Sequence, residues 1–329
     1  MMIGRRVLVG GVAAAALARP QVIRAQSLIR VNFLLPAPRF LTAFAPHNLA
    51  EARGYYREAG VEMEFTTVAG GAQVATQVGA GNAPLGGGTG DTPIIVRANG
   101  VPIRGVSLLG GGTLISVVAR PDRGIASLRD LRGKRISVTG FQDTAYFTLL
   151  GVLGSVGLTA RDVDIQAHGP TGVWQLFVQG QVDAMAGVPD WIVDAQASGV
   201  APIRLSTERD FPSMAQAIIS SDRAIRENAA GIRGCVRAIN RALADLIRDP
   251  AGSARDLIAW LQARNMPANI ERLPAVIAMY AERVYAGQQV IGAFDAQRMD
   301  AVQRFYADAG IIRRTTPVAE LFTNEFVQG

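Results

Sequence analysis

The chain has 329 residues, of which 49% are hydrophobic and 6% aromatic, so it is long enough to bury a substantial core and to form two lobes. Its formal charge is +6, but Arg5, Arg6, Arg19 and Arg24 lie in the first 25 residues, which contain no acid, and without them the charge falls to +2. This composition excludes a disordered chain, and the remaining basic residues are too scattered to predict nucleic-acid binding.

Residues 1–26 have the pattern of a cleaved export signal. Arg5 and Arg6 precede an apolar run over 7–18, which is too short to span a bilayer, and Ala25 supplies the small residue of a cleavage site. The arginine pair is typical of a twin-arginine signal, and general secretion stays open as the alternative route. We therefore expect an exported, soluble, periplasmic protein.

The chain then alternates short β-rich runs with longer helical runs, which predicts an α/β fold with largely parallel sheets. The predicted strands are 29–35, 61–68, 83–86, 103–109, 114–119, 135–138, 163–168, 184–186, 202–205 and 215–220. The predicted helices are 46–58, 72–80, 93–99, 144–155, 172–179 and 190–198.

The sequence after Asp222 predicts a helical tail. Apolar residues recur every three or four positions from Ile232 to Leu246, which predicts one apolar stripe on a helix that ends near residue 250. Cys235 lies beside this stripe and is predicted to be inert core. As the only cysteine it also excludes an intrachain disulfide and a lipid-anchored start. Further helices are predicted at 251–264, 274–285 and 295–309, the last capped by Gly310.

Two breaks in the strand pattern predict how the chain divides. The segments 120–124 and 206–213 interrupt the β-rich runs, which indicates two crossings between lobes. We predict that residues 27–113 and 221–329 form one lobe and that residues 114–220 form the other. A cleft would lie between the two.

The stretch GGGTGDTP, residues 86–93, is a candidate ligand site. It is predicted as a turn between a strand ending at Gly86 and a helix that Asp91 or Thr92 caps. Free N–H groups at a helix start attract anions or carbonyl oxygens, and glycine allows close approach of a ligand. On this interpretation Gly90→Val weakens ligand binding and leaves the melting temperature unchanged. The alternative is a plain tight turn.

Other candidate contacts follow other predicted strands, at the edge where α/β sheets bind ligands. They are Gln142, Asp143 and Thr144 after the strand at 135–138, Asp190 and Trp191 after the strand at 184–186, and Arg39 after the first strand. Arg39 could pair with an anionic ligand or remain solvated.

No arrangement of residues predicts catalysis. The two histidines, His47 and His168, are far apart in sequence, and with one cysteine they form no zinc motif. Ser155 lacks the first glycine of a nucleophile elbow. We therefore predict no catalytic residue, no metal and no cofactor, and a protein that is not an enzyme.

Four short motifs together resemble a known family. They are AEARGYY at 50–56, TGDTPI at 89–94, LRGKRI at 131–136 and QGQVDA at 179–184. In this order they resemble the periplasmic solute-binding proteins of ABC importers, in the group for aliphatic sulfonates, taurine, nitrate and pyrimidine precursors, and most of all the aliphatic sulfonate binders. The resemblance covers roughly residues 28–220.

The resemblance implies a type II-like clamp of two lobes that closes on a solute. It implies a monomer that delivers this solute to an ABC permease in the inner membrane. Ligand contacts are implied at the turn from Thr89 through Gly90 and Asp91 to Thr92, at the loop from Gln142 through Asp143 to Thr144, and at Asp190 and Trp191, with Arg39 as a further contact.

The resemblance favours a small anionic, sulfonate-like solute. Asp91 and Asp190 would repel a sulfonate in a desolvated cleft, so a neutral or zwitterionic solute such as a pyrimidine precursor stays open. Pyrimidine-precursor synthases of similar sequence need a cofactor-bearing lysine and a cysteine-rich motif, whereas this chain has one lysine, Lys134, and one cysteine. Docking on a sensor or a tripartite transporter also stays open.

Overall fold

The computed structural model describes residues 27–141, 143–207 and 209–327, so the predicted export signal and Gln142 lie outside the described residues. The strands are β1 Ile29–Leu35, β2 Val61–Thr67, β3 Leu85–Thr89, β4 Ile103–Leu108, β5 Ser116–Ala119, β6 Arg135–Val138, β7 Asp164–Ala167, β8 Ala184–Gly187, β9 Ile203–Arg204 and β10 Gln216–Ser221. The helices are α1 Ala45–Ala52, α2 Tyr55–Glu58, α3 Gly70–Ala80, α4 Thr92–Arg97, α5 Thr144–Ser155, α6 Gly169–Val178, α7 Pro189–Ala197, α8 Asp222–Glu227, α9 Ala229–Arg248, α10 Pro250–Ala263, α11 Leu273–Tyr280, α12 Ala296–Asp308 and α13 Val318–Leu321. A 3-10 turn, Thr42–Phe44, precedes α1, and a π-helical turn, Ala281–Tyr285, extends α11.

The strands form two five-stranded sheets. The order is β2-β1-β3-β10-β4 in the first sheet and β7-β6-β8-β5-β9 in the second. In each sheet four strands run in one direction, and one strand, β10 or β5, runs antiparallel to both of its neighbours. This confirms the predicted α/β class, in which each sheet is mostly parallel and is flanked by helices.

The chain crosses between the sheets twice, which confirms the predicted hinge of two crossings. The first crossing links β4 to β5, and the second links β9 to β10. The antiparallel strand in each sheet is the first strand after a crossing, because the chain enters the sheet there from the opposite end. One boundary needs correction: residues 216–220, predicted to lie in the second lobe, belong to β10 at the interior of the first sheet.

The first half of the glycine stretch is a strand, and only Gly90 and Asp91 form a turn before α4. Gly86, Gly87 and Gly88 belong to β3, which pairs with β10. A β-carbon at Gly86 would lie 2.3 Å from Val74 Cγ1, and one at Gly88 would lie 2.8 Å from Thr92 Oγ1. The glycines therefore allow α3 and the start of α4 to pack closely on the strand.

The tail is helical as predicted. The stripe on α9 is fully buried, and Cys235 lies in the same core, where burial raises the pKa of its thiol. Gly310 follows α12 with a φ of 69°, as expected of a C-terminal glycine cap. The predicted helix at 46–58 is two helices, because Gly54 adopts a φ of 74° between α1 and α2.

Across 27–141, 143–207 and 209–327, no helix is both long and apolar enough to cross a membrane. The same ranges bring together no group of three His, Cys, Asp or Glu side chains suited to a metal ion.

Candidate ligand-binding site

A cavity of about 880 Å³ lies where the carboxyl ends of strands from both sheets face each other. This volume is within the range of small-molecule sites, roughly 300–1,000 Å³, and the edge is the one where α/β sheets bind ligands. The residues that line the cavity from the first sheet and its helices are Pro36, Ala37, Pro38, Leu41, Ala43, Phe44, His47, Thr67, Val68, Ala69, Gly70, Gly71, Ala72, Gln73, Thr76, Gly87, Gly88, Thr89, Gln216 and Ala217. Those from the first crossing and the second sheet are Leu114, Ile115, Thr139, Gly140, Asp143, Thr144, Pro170, Val188, Asp190 and Trp191.

The structure brings five of the predicted contacts to this cavity. They are Thr89, Asp143, Thr144, Asp190 and Trp191, from elements of both sheets. Four others, Arg39, Gly90, Asp91 and Thr92, are not among the residues that line it. Gln142 lies outside the described residues.

Arg39 is held against the outer layer of the first sheet. Its Nε donates to Asn48 Oδ1 at 2.8 Å, and its Nη2 donates to Glu51 Oε2 at 2.5 Å. The guanidinium carbon lies 3.9 Å from the ring centre of Phe65 and 4.9 Å from that of Trp260. Its charge is therefore compensated by Glu51 and its planar faces are covered by aromatic rings.

Residues 90–92 make contacts inside the protein. The Gly90 amide donates to the Ala215 carbonyl at 3.0 Å, and a β-carbon at Gly90 would lie 2.6 Å from Met214 Cβ. Thr92 Oγ1 accepts a hydrogen bond from the Thr89 amide at 3.0 Å. The packing around Gly90 therefore predicts that a larger side chain there lowers stability, contrary to the expectation drawn from the sequence.

Asp91 sits at the start of α4, but its carboxylate does not cap that helix. One oxygen accepts from the Met214 amide at 3.0 Å, and the other accepts from the Tyr306 hydroxyl at 2.9 Å. Burial raises the pKa of Asp91 to about 6, and these hydrogen bonds and the Arg298 charge oppose the rise. Asp91 therefore links β3 to the second crossing and to α12.

Arg298 on α12 binds both crossings between the sheets. Its guanidinium donates to the carbonyls of Gly111 and Gly112 in the first crossing, and to those of Pro212 and Ser213 in the second. The bond from Nε to Pro212 measures 3.0 Å, and that from Nη2 to Gly112 measures 3.2 Å. One side chain thus fixes the two segments that would bend if the sheets moved apart.

Asp143 and Asp190 supply the carboxylates of the cavity, both near helix starts of the second sheet. Asp143 caps α5, since its Oδ1 accepts from the Ala145 amide at 2.9 Å. Asp190 lies in the first turn of α7 and accepts from the Thr42 amide and from the Tyr280 hydroxyl. Burial is the main cause that raises the pKa of each carboxyl, and the hydrogen bonds oppose it.

Two buried polar residues of the cavity, His47 and Gln216, were not among the predicted contacts. They are 3% and 7% exposed, and neither His47 ring nitrogen nor Gln216 Oε1 has a hydrogen-bond partner among the described residues. Burial, with a smaller contribution from the Arg39 charge, lowers the pKa of His47 to about 3, so the ring is neutral. The sequence offers one signal for Gln216, a lone amide at the start of an apolar strand.

Among the described residues, the cavity wall carries acidic side chains and no basic ones. Asp143 and Asp190 line it, His47 is neutral, and no Arg or Lys is among the described residues that line it. Apolar and glycine residues supply most of the remaining wall, with the aromatic rings of Phe44 and Trp191. Such a surface disfavours an anion and suits a solute with apolar ring faces and hydrogen-bond donors.

Comparison with known proteins agrees with this architecture. The family model described as NMT1/THI5 like matches residues 41–253. The chain belongs to this NMT1/THI5-like family. A riboflavin-binding protein, RibY from Chloroflexus aurantiacus, is 27% identical over 303 residues, which are 87% of this chain and 83% of that protein. A 4-amino-5-hydroxymethyl-2-methylpyrimidine phosphate synthase from Schizosaccharomyces pombe is 21% identical over 252 residues, 73% of this chain and 72% of the enzyme.

A solved structure shows the same fold. The alkanesulfonate-binding protein SsuA from Xanthomonas axonopodis pv. citri, bound to MOPS, superposes with a TM-score of 0.69 and 22% identity, covering 91% of this chain and 98% of that chain. The chain therefore has the fold of a periplasmic binding protein, as predicted. At this identity the likeness concerns the fold and not the solute.

Relatives of this chain include proteins named as synthases, so the position of the single lysine matters. Lys134 lies just before β6 and is not among the residues that line the cavity. Cys235, the single cysteine, lies in the core on α9. Neither residue is placed to act on a molecule in the cavity.

Proposed function

We propose that this protein is the extracytoplasmic solute-binding component of an ABC importer and that it captures an uncharged, ring-containing solute in the cavity without reacting with it. The observation that carries the proposal is the charge of the cavity wall: two carboxyl groups face it, and no Arg or Lys does among the described lining residues.

An anionic solute such as a sulfonate would be repelled at this wall. Two unit charges roughly 4 Å apart repel by about 4 kcal/mol at an effective dielectric constant of about 20. Both carboxylates act as hydrogen-bond acceptors: Asp190 accepts from Thr42 and Tyr280, and Asp143 accepts from Ala145. Each therefore suits a solute that donates hydrogen bonds better than an anion. The charge of the wall thus supports the neutral alternative over the sulfonate that the resemblance favours.

The rings of the wall and the names of two relatives support a heteroaromatic solute. Trp191 and Phe44 line the cavity together with Leu114 and Ile115, and such surfaces pack well against planar rings. The names of RibY and of the synthase mention riboflavin and a pyrimidine, both nitrogen heterocycles. We propose riboflavin and 4-amino-5-hydroxymethyl-2-methylpyrimidine as the first two probes.

Closure of a clamp would retain the solute. The cavity is built from both sheets, and two crossings join them, so the proposed lobes are the first sheet with the helical tail and the second sheet with its helices. A solute that contacts both lobes binds the closed form better and shifts the population towards it. The closed form would then dock on the permease from the periplasm, where the export signal would deliver the protein as a soluble monomer.

The experiment is a thermal-shift and titration calorimetry panel on residues 27–329. The panel contains riboflavin, the aminopyrimidine, MOPS, ethanesulfonate, taurine and nitrate. A ligand that binds only the folded state raises the melting temperature with concentration, and we expect this for a heterocycle and not for the anions. Saturable binding of a sulfonate, taurine or nitrate, with none of the heterocycles, would contradict the proposal.

A matched pair of variants tests whether the solute binds in the cavity. Trp191→Ala removes a ring that lines the cavity, and we expect it to lower the affinity about tenfold. Trp174→Ala makes the same change on α6, outside the residues that line the cavity, and should leave the affinity unchanged. Equal affinities in the two variants would place the solute elsewhere.

A further inference from the structure

Gln216 has a fixed orientation in the cavity. Its Nε2 donates to the Ala43 carbonyl, which can only accept, so the two ends of the amide are distinguished by chemistry. Oε1 must then be the end without a hydrogen-bond partner among the described residues. The side chain is 7% exposed and lines the cavity, so the group that it leaves unsatisfied is an acceptor.

The strand and the turn around Gln216 hold it in place. Its backbone pairs with Thr89 across β3 and β10, and its carbonyl accepts from the Leu109 amide at 2.7 Å. Ala43 belongs to the 3-10 turn Thr42–Phe44, and the Thr42 amide of the same turn binds Asp190. The acceptor is therefore attached to a rigid strand and to the turn that meets the second sheet's α7.

A second polar group of the same cavity also lacks a partner. Both ring nitrogens of His47 are without one among the described residues, and the ring is enclosed by Phe33 and Phe44, with centroids 5.0 Å and 6.0 Å away. A buried polar group without a hydrogen bond costs about 1–3 kcal/mol. On a cavity wall, such groups mark positions where a bound solute can supply the missing hydrogen bonds.

An acceptor also faces the cavity from the second sheet. Asp143 uses Oδ1 to cap α5, and Oδ2 accepts no hydrogen bond from a described residue. Gln216 and Asp143 thus present acceptors from the two sides of the cleft. A solute with donors directed to both sides would satisfy them only when the cleft is closed.

We propose, building on the binding function above, that Gln216 recognises an N–H group of the solute, and that the solute is therefore a lactam, imide or amino-substituted ring and not a ring with acceptors alone. An imide or aminopyrimidine edge offers such an N–H beside acceptor atoms. N-methylation of that edge removes the donor and leaves the ring, its charge and its stacking faces in place.

The test compares solutes that differ by one N–H. Titration calorimetry measures the affinity for riboflavin against 3-methylriboflavin, and for the aminopyrimidine against its 4-dimethylamino analogue. For the pair that binds, the wild-type protein should prefer the N–H form by about tenfold or more. Equal affinities for both members would overturn the proposal and leave the binding function standing, whereas absence of binding to all four would overturn both.

Variants separate hydrogen bonding from the size of the methyl group. Gln216→Met keeps a similar length without the amide, and its preference for the N–H form should fall to within about threefold. Gln303→Met is the matched control, a 3% exposed glutamine on α12 that accepts from the Thr316 amide away from the cavity, and it should keep the full preference. Each ratio is taken within one variant, so a smaller folded fraction does not change it. If Gln216→Met kept the full preference for the N–H form, that preference would come from the steric fit of the methyl group. This result would overturn the proposed role of Gln216.

Discussion

The Asp190 carboxylate accepts a hydrogen bond from the Tyr280 hydroxyl at 2.9 Å and another from the Thr42 amide at 3.2 Å. Asp190 lies in the first turn of α7 beside the second sheet, whereas Thr42 and Tyr280 belong to the 3-10 turn after β1 and to α11. Arg272 adds an ion pair to Asp194 of α7 at 2.5 Å. The start of α7 is therefore fastened to the first sheet's side directly beside the cavity, which would favour the closed form.

Tyr280→Phe tests the hydrogen bond between the Tyr280 hydroxyl and Asp190. The change removes one hydrogen bond to a carboxylate within a buried cluster, so we expect a loss of about 1–3 kcal/mol in the free energy of unfolding and a weaker affinity for the solute. Urea unfolding and titration calorimetry measure the two effects, and small-angle scattering should show a larger radius of gyration without solute.

Tyr285→Phe is the control for that variant. Tyr285 stacks on Tyr280 with a centroid distance of 5.3 Å, and its buried hydroxyl has no hydrogen-bond partner among the described residues. Removing this hydroxyl should leave stability unchanged or raise it slightly. Equal losses in the two variants would mean that aromatic packing, and not the bond to Asp190, holds α7.

Arg298→Met should loosen the two crossings. Four carbonyl oxygens of the crossings would lose a charged donor, and hydrogen bonds to charged groups contribute about 1.5–3 kcal/mol each. We expect a loss of at least about 3 kcal/mol in urea unfolding. Arg304→Met, on the same helix with a side chain 71% exposed, should cost less than about 0.5 kcal/mol. Similar losses would show that Arg298 does not hold the crossings.

Much of the fold could be predicted because its periodicity is local. The strand at 29–35 and the helix at 144–155 have the predicted bounds, since each is set by an apolar pattern and by adjacent turn or capping residues. The glycine stretch was predicted less well, because packing of α3 and α4 on β3, and not the local preference of glycine, decides its conformation.

The site depends on contacts that the sequence does not display. Arg39 suggested an anion site, but Glu51 and two aromatic rings, distant in sequence, compensate and cover it. Gln216 begins an apolar strand, and only the hydrogen bond to the Ala43 carbonyl, 173 positions away, determines which end of its amide lacks a partner. Side-chain orientation of this kind follows from tertiary structure, so residue type alone could not predict it.

Gly90→Val should lower stability, whereas Gly140→Val should lower the affinity for the solute. A β-carbon at Gly90 would lie 2.6 Å from Met214 Cβ and 2.9 Å from Leu108 Cδ1, so we expect a loss of about 1–3 kcal/mol in stability. Gly140 lines the cavity, and its β-carbon would meet no atom within 4 Å. Gly140→Val should therefore keep the melting temperature and reduce the affinity for the solute. A stable Gly90→Val variant with lost affinity would return Gly90 to the binding site.

Asp91→Asn should change how stability depends on pH. The pKa of Asp91 is raised from 3.8 to about 6 by burial, so between these values the folded state binds more protons than the unfolded state. The contribution of Asp91 to the free energy of unfolding therefore decreases as the pH rises through this window. The decrease is up to about 3 kcal/mol, at 1.36 kcal/mol per pKa unit. His47, whose pKa is lowered to about 3, acts in the opposite direction but is present in both proteins.

The stability difference between wild type and Asp91→Asn isolates this effect. Asparagine can still accept from the Met214 amide and can donate to the Tyr306 oxygen, so wild type should lose stability relative to the variant between pH 4 and pH 7. Urea unfolding across that range measures the difference, and parallel profiles would show that Asp91 does not titrate there. Tyr306→Phe removes a hydrogen bond that lowers the pKa of Asp91, so it should move the midpoint of this loss to higher pH.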